Sequence, residues 1–268
     1  MRPIGLVALA VFRESVRDRV PLTIVGFGVL LVAGSYLISQ MTAGQDVKII
    51  KDLGLTAISL LGILIAVIIG IGLVAKEVEK RSIYSLLSRP VTREQFILGK
   101  YAGLVMTLAV NIGAMSLAYY LLLFYQQWTW PASQQAALEA PVADPRLMIA
   151  LALIFGELMV MTAVALFFST FAETITAILL TLGLWVAGHF NADLRHFEEV
   201  VNSPVAAWLA RGLYYVLPNL APFDVKAEIV HGLPVSASHV SLTAAYAFVY
   251  IAMMLLAAMA VFRRRDFK

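Results

Sequence analysis

The chain has 268 residues, of which 61% are hydrophobic and only 14% are charged, and its mean hydropathy is +0.85. Soluble domains are about half apolar and about a quarter charged, so this composition excludes an ordinary soluble protein and predicts an all-α polytopic membrane protein. The absence of cysteine excludes disulfides, thiolate metal sites and a cysteine nucleophile. The pI near 9.1 does not indicate nucleic-acid binding, because the basic residues flank apolar runs, as membrane-proximal cations do.

The first 19 residues predict an amphipathic elbow helix in the plane of the membrane. Arg13, Arg17 and Arg19 are spaced to meet phosphate head groups. A cleavable signal peptide is not expected, since charged residues follow the apolar stretch where small residues would be needed. The apolar residues of the elbow fall on one helical face, at Ile4, Val7, Ala8, Val11 and Phe12.

Six uncharged or nearly uncharged runs predict membrane spans, at residues 20–39, 53–75, 92–125, 147–170, 173–189 and 240–262. Residues 40–52 are expected to form a polar link between the first two. The fifth run is short: Thr174 to His189 gives about 24 Å of helix, against a hydrocarbon core of about 30 Å. We therefore expect helices within residues 190–239 to re-enter the membrane from outside and complete the wall of the bundle.

Positive charge predicts the orientation of these spans. Fourteen of the 20 Lys and Arg residues lie before the first span, within residues 76–100 or after the sixth span. Cytoplasmic loops carry this excess. Both termini are therefore expected in the cytoplasm, with the chain in the inner membrane of a bacterial cell.

One dense, mixed-charge segment, KEVEKRSIYSLLSRPVTREQFILGK, separates the second and third spans. Residues 76–88 predict a short helix, in which Glu77 and Arg81 are spaced to form an ion pair. A proline then ends it, and Thr92 with Gln95 forms a capping box that begins the next helix. By its residues alone, the segment is either a surface helix offered to a partner or an ordinary turn whose charges set the topology.

The order of residues in this segment resembles the cytoplasmic loop of the ABC-2 type exporter permeases. In that family, Glu-x-Glu-x-Gly-Thr precedes a leucine-rich helix, which is followed by Pro-x-x-Arg and Gly-Lys. Here Arg81-Ser82 stands in place of Gly-Thr, and the other positions are filled by Glu77, Glu79, Leu86-Leu87, Pro90, Arg93 and Gly99-Lys100. The resemblance covers essentially the whole chain, and within the family it is to the permease of nitrous oxide reductase maturation systems.

The resemblance implies one permease domain over residues 1–268 that is not itself an enzyme and holds no cofactor. ATP and Mg would be bound by a separate ATPase subunit, consistent with the lack of a G-x-x-x-x-G-K-[ST] phosphate loop. Two ATPase copies and a second, identical permease would complete an exporter in the lipid bilayer. Contact with the ATPase is assigned by the resemblance to the coupling segment, residues 76–91, and within it to Glu77, Glu79, Arg81, Ile83, Leu86 and Leu87.

Glu157 lies near the middle of the fourth span, where an ionisable side chain is costly and is a functional candidate. With Asn111 it is a candidate for the substrate path; the alternative is a protonated carboxyl group that hydrogen-bonds Asn111 or a threonine. An ion pair is not expected, because the spans carry no Lys or Arg at that depth. No metal site is expected among the four histidines, which lie in residues 189–239 without close spacing.

Two other classes of protein stay open at this point. A stand-alone secondary carrier would use Glu157 to bind a proton, and would be expected to show internal repeats and paired charges at mid-membrane. A non-transporting membrane scaffold is the third possibility. Small residues repeat every four positions in the second span, at Gly62, Ala66 and Gly70, and predict close helix packing either inside the subunit or across a dimer.

Overall fold

The computed structural model describes residues 2–39, 46–79, 92–130, 140–191 and 217–264. Within these ranges the regular structure is helical throughout, which confirms the all-α prediction there. A 3₁₀ turn at Ala221–Phe223 lies between the sixth and seventh helices. The helices are α1 (Arg2–Arg17), α2 (Arg19–Ser39), α3 (Asp46–Glu79), α4 (Arg93–Thr129), α5 (Leu147–Ser169), α6 (Thr174–His189), α7 (Lys226–Val230) and α8 (Ala237–Arg264).

Five of these helices, α2, α3, α4, α5 and α8, are long and apolar enough to cross a membrane. Helix α6 is apolar but has only 16 residues. Its length agrees with the predicted short fifth run. We call the end of the bundle where α3 ends and α4 begins the near end, and the end where α4 ends and α5 begins the far end.

Helix α1 packs its apolar face against the near end of α4. Val7, Ala8 and Val11 are buried or half-buried there, while Leu6 and Val16 on the other side are exposed. The predicted face is therefore correct, but it is covered by protein. Two glycines of α4 permit this contact, since a Cβ at Gly99 would lie 2.7 Å from Val7 Cβ and one at Gly103 would lie 2.6 Å from the Ala8 carbonyl oxygen.

This packing gives a matched pair of glycine substitutions on one helix. Gly→Ala in a helix normally stabilises by roughly 0.5–1 kcal/mol. At Gly103 the added methyl would meet backbone and the Val11 side chain, and overpacking of this kind costs roughly 1–3 kcal/mol. We expect Gly103→Ala to lower the unfolding temperature of the purified protein, whereas Gly113→Ala, with open space around it, should not. A Gly103→Ala protein as stable as Gly113→Ala would contradict the α1–α4 contact.

Helix α3 begins at Asp46, so the polar link predicted at residues 40–52 is wrong over its second half. The physical reason is that the charge at Lys51 is accommodated inside the protein. Lys51 is buried, and its Nζ donates to the carbonyl oxygen of Pro141 at 2.7 Å. The Tyr119 hydroxyl donates to the Lys51 carbonyl oxygen at 3.1 Å, and Gly54 leaves the room that the Tyr119 ring fills.

Helices α3 and α5 are the most buried of the membrane-length helices, and α5 packs against both α3 and α8. The small-residue stripe of α3 lies on this contact. A Cβ at Gly62 would collide with the Leu158 side chain, and one at Gly70 would lie 3.2 Å from Ala165 Cβ. The stripe therefore serves packing inside the subunit.

The chain after residue 216 returns to the core of the bundle at its far end. Leu220, Phe223 and Ile229 are essentially fully buried. Helix α7 contacts α3 and α5, and the 3₁₀ turn contacts α5 and α8. Of the region 190–239, where re-entrant helices are predicted, residues 192–216 lie outside the described residues.

Candidate functional site

The first candidate region is the near end, where the coupling segment was predicted. Glu77 and Glu79 lie in the last turn of α3, which runs unbroken from Asp46. The other four predicted contact residues fall within 80–91, outside the described residues. At the start of α4, the predicted capping box is confirmed. Thr92 Oγ1 accepts from the Gln95 N–H at 3.3 Å, and Gln95 Oε1 accepts from the Thr92 N–H at 3.2 Å.

The second candidate region surrounds Glu157, in the middle of α5. Its side chain is 2% exposed. The indole Nε1 of Trp185 donates to Glu157 Oε1 at 2.6 Å, and His189 Nε2 lies 3.5 Å from the same oxygen. The sequence argument against an ion pair considered only Lys and Arg; the ionisable side chain next to Glu157 is a histidine of α6. Asn111, the predicted partner, is not among the contacts, and its Nδ2 is buried without a hydrogen bond.

The contacts of His189 orient its imidazole ring toward Glu157. Nδ1 is 3.0 Å from the carbonyl oxygen of Trp185, which only accepts, so this contact requires a hydrogen on Nδ1. Nε2, the other ring nitrogen, then faces the Glu157 carboxyl group at 3.5 Å. A proton held by either group would lie between the two.

The segment that leads into α7 covers this pair at the far end of the bundle. The Leu220 N–H donates to the Gly188 carbonyl oxygen at 3.0 Å, and the Asn219 N–H donates to the Tyr246 hydroxyl at 2.9 Å. Phe223 packs beside Gly156, next to Glu157 in sequence. Non-helical backbone inside a bundle must satisfy its polar groups within the protein, and these bonds do so.

Two further charged side chains lie in the segment that covers the pair, residues 218–226. Lys226 Nζ pairs with Asp224 Oδ1 at 3.5 Å, and both residues are within electrostatic range of Glu157. The site is therefore a cluster of ionisable groups contributed by α5, α6 and the segment that leads into α7. Across the described ranges, no group of three or more His, Asp or Glu side chains is arranged to hold a metal ion.

The remaining predicted residues lie on the surface of α1 and at the start of α2. Arg13, Arg17 and Arg19 are exposed and line an open cleft together with Glu14 and Asp18. Asp18 Oδ1 accepts from the Val20 N–H at 3.1 Å, which supports the break between the two helices.

Comparison with known families agrees with this architecture. A family model described as "ABC-2 family transporter protein" matches residues 7–267. The chain belongs to the ABC-2 transporter family, whose members are the transmembrane domains of ABC transporters and are not ATPases themselves. Membership implies an ABC ATPase partner. No curated protein matches the chain significantly. The family match names no narrower group within the family, so the resemblance to the nitrous oxide reductase maturation permeases stays a prediction.

Trp185 and His189 are the functional candidates that sequence reasoning missed. Counting residues along α5 and α6 from the turn between them would have placed these side chains near Glu157. Glu157 is 12 residues before the end of α5 and His189 is 15 residues after the start of α6, which at 1.5 Å per residue puts them about 18 Å and about 22 Å from the same turn. Because α5 and α6 are joined by a short turn, equal depth predicts contact.

Proposed function

We propose that this chain is the permease subunit of an ATP-driven exporter, in which a separate ATPase subunit hydrolyses ATP and moves this subunit. The observation that carries the proposal is the family match over residues 7–267. The five long apolar helices support it, since they supply a membrane domain of the required kind.

The contact for the ATPase is the coupling segment, residues 76–91. Helix α3 has 34 residues, or about 51 Å of helix, whereas the hydrocarbon core is about 30 Å thick. Its uncharged run ends at Ala75, so Glu77 and Glu79 follow that run on the same helix. A push on the segment would therefore be carried into the bundle by α3 on one side and by α4 on the other.

The proposed substrate path runs past Glu157, with Asn111 as a second polar lining residue. Closed packing around Glu157 fits a state in which the path is shut. The covering segment at Pro218–Lys226 is the element that would have to move for the site to open toward the far end. This assignment of Glu157 and Asn111 is part of the proposal.

The complete transporter would contain two ATPase copies and a second, identical permease. It would lie in the bacterial inner membrane, with both termini and the coupling segment in the cytoplasm. ATP and Mg would be bound by the ATPase subunits. Arg13, Arg17 and Arg19 would face anionic head groups, consistent with their exposure.

A second candidate function is favoured by one observation. The buried approach of His189 Nε2 to Glu157 Oε1, at 3.5 Å, is the kind of site that a proton-coupled carrier needs. Family membership favours the ATP-driven function over this one.

The proposed orientation is tested by cysteine labelling, for which the cysteine-free chain is already suited. We expect Ser85→Cys to react with a membrane-impermeant maleimide only from the cytoplasmic side, and Ser133→Cys only from outside. Labelling of intact cells and of inside-out vesicles gives the comparison. The reverse pattern would contradict the topology, and the coupling proposal with it, because ATP is hydrolysed in the cytoplasm.

A further inference from the structure

Arg93 is the first residue of α4, immediately after the capping residue Thr92 and the coupling segment. Arg93 Nη1 donates to two backbone carbonyl oxygens of α8, that of Phe262 at 3.3 Å and that of Arg263 at 3.1 Å. The helix that follows the coupling segment is therefore fastened to the last helix of the chain.

The two acceptors are neighbouring carbonyl groups in the last described turn of α8. A guanidinium group is a suitable donor to such a pair, since it donates several hydrogen bonds and is always charged. The contact thus joins α8 to a charged donor that belongs to α4.

Aromatic packing adds to the same contact between α4 and α8. The rings of Phe96 and Phe262 are stacked, with centroids 6.1 Å apart, and Phe262 is 6% exposed. Lys100 Nζ lies 4.8 Å from the centroid of the Phe96 ring. By contrast, Glu94 and Arg263 approach only to 4.0 Å, with both side chains largely exposed, and such a pair contributes little.

From this geometry, and resting on the proposed function, we infer that Arg93 is a positioning residue that passes movement of the coupling segment to α8. Helix α8 packs along α5, the helix that carries Glu157, and its Tyr246 holds the covering segment at Asn219. A displacement at the near end can therefore reach the far-end cover through α8. Loss of the Arg93 contact would leave the Phe96–Phe262 stack between α4 and α8 at this end.

The alternative is that Arg93 only stabilises the packing of α8 against α4. Such a contact contributes to stability and leaves nucleotide-driven movement unchanged. Thermal unfolding alone cannot separate these roles, since both predict a lower unfolding temperature for Arg93→Ala. The distinguishing readout is movement at the far end of α8.

The experiment measures that movement in the assembled transporter, the chain together with its ATPase. Spin labels are placed on Trp128→Cys, at the far end of α4, and on Ser238→Cys, at the far end of α8, both at exposed positions. Pulsed EPR then measures the distance between them without nucleotide and with ATP plus vanadate, in complexes diluted with unlabelled permease. The variants compared are Arg93→Ala, Arg93→Lys and the matched control Glu94→Gln.

We expect nucleotide to change the distance in the unsubstituted and Glu94→Gln proteins. The change should be lost in Arg93→Ala, while ATPase association and vanadate-sensitive hydrolysis persist. Arg93→Lys should restore part of it, because an ammonium group can still donate to one carbonyl; this variant carries the test if Arg93→Ala does not assemble. An unaltered change in Arg93→Ala, or in Arg93→Lys where that variant carries the test, would overturn the positioning role and leave the proposed function intact. No change in the unsubstituted protein would overturn the proposed function and the inference together.

Discussion

Glu77→Arg is expected to leave the protein folded in the membrane and to abolish its response to ATP. The site already carries a charge and follows the uncharged run of α3, which ends at Ala75, so the substitution introduces no charge within that run. In the proposed transporter, the apolar contact residues Ile83, Leu86 and Leu87 form a small surface, and the contact must also use the carboxylates of Glu77 and Glu79. Loss of one partner of a buried charged contact costs roughly 2–5 kcal/mol, and charge reversal adds repulsion.

If the segment is only a topology-setting turn, the same substitution removes a surface ion pair with Arg81 and costs under about 1 kcal/mol. The measurement compares the ATPase that purifies with the unsubstituted and Glu77→Arg chains, and the nucleotide-driven distance change at α8 in each. Glu94→Gln serves as a control for loss of a nearby exposed carboxylate. Normal ATPase binding together with a normal response in Glu77→Arg would remove the coupling role from this segment.

Glu157→Gln is expected to abolish export while expression, assembly and ATPase binding persist. Glutamine has the shape of glutamate, and its carbonyl oxygen still accepts from the Trp185 indole. It carries no charge and cannot share a proton with His189, so the chemistry of the site is lost while its packing remains. Trp185→Phe tests the other half of the contact: it leaves a buried carboxylate oxygen without its donor, at a cost of roughly 1–3 kcal/mol in stability.

The readout for Glu157→Gln is independent of which substrate is exported. Mass spectrometry compares compounds retained in cells lacking the chain with those in complemented cells. Cells that express Glu157→Gln should retain the same compounds as cells lacking the chain. Cells that express the matched control Glu228→Gln, which changes an exposed carboxylate of α7, should resemble cells with the unsubstituted chain. Complementation by Glu157→Gln at normal expression would reduce Glu157 to a structural role.

The membrane helices could be predicted because the hydrocarbon imposes one condition, a long uncharged run, that sequence displays directly. The capping box at Thr92 could be predicted for a similar reason, since both of its hydrogen bonds lie within four residues. The start of α3 could not, because Lys51 is tolerated in a helix only through a carbonyl 90 positions away, at Pro141. The Glu157–His189 contact depends on the antiparallel return of α5 and α6, and becomes visible only when depths are counted along both helices.

The Arg93 contact shows the limit more sharply. The Pro-x-x-Arg spacing singles out Arg93 in the sequence. Its acceptors, however, are backbone carbonyl groups 169 and 170 positions later. Backbone acceptors leave no mark in the sequence, since any residue supplies them. Only the packing of α8 against the start of α4 identifies the partner.

ATP hydrolysed by another subunit is proposed to move this chain, and the most direct measurement of that movement is nucleotide-dependent access to the covered site. A cysteine is placed at Phe223, which is 1% exposed beside Gly156, and its labelling rate is measured from the far side. We expect ATP plus vanadate to change this rate in the complex with the ATPase and to leave it unchanged in the isolated chain. The same rate with and without nucleotide, in a complex that hydrolyses ATP, would contradict ATP-driven movement of this chain.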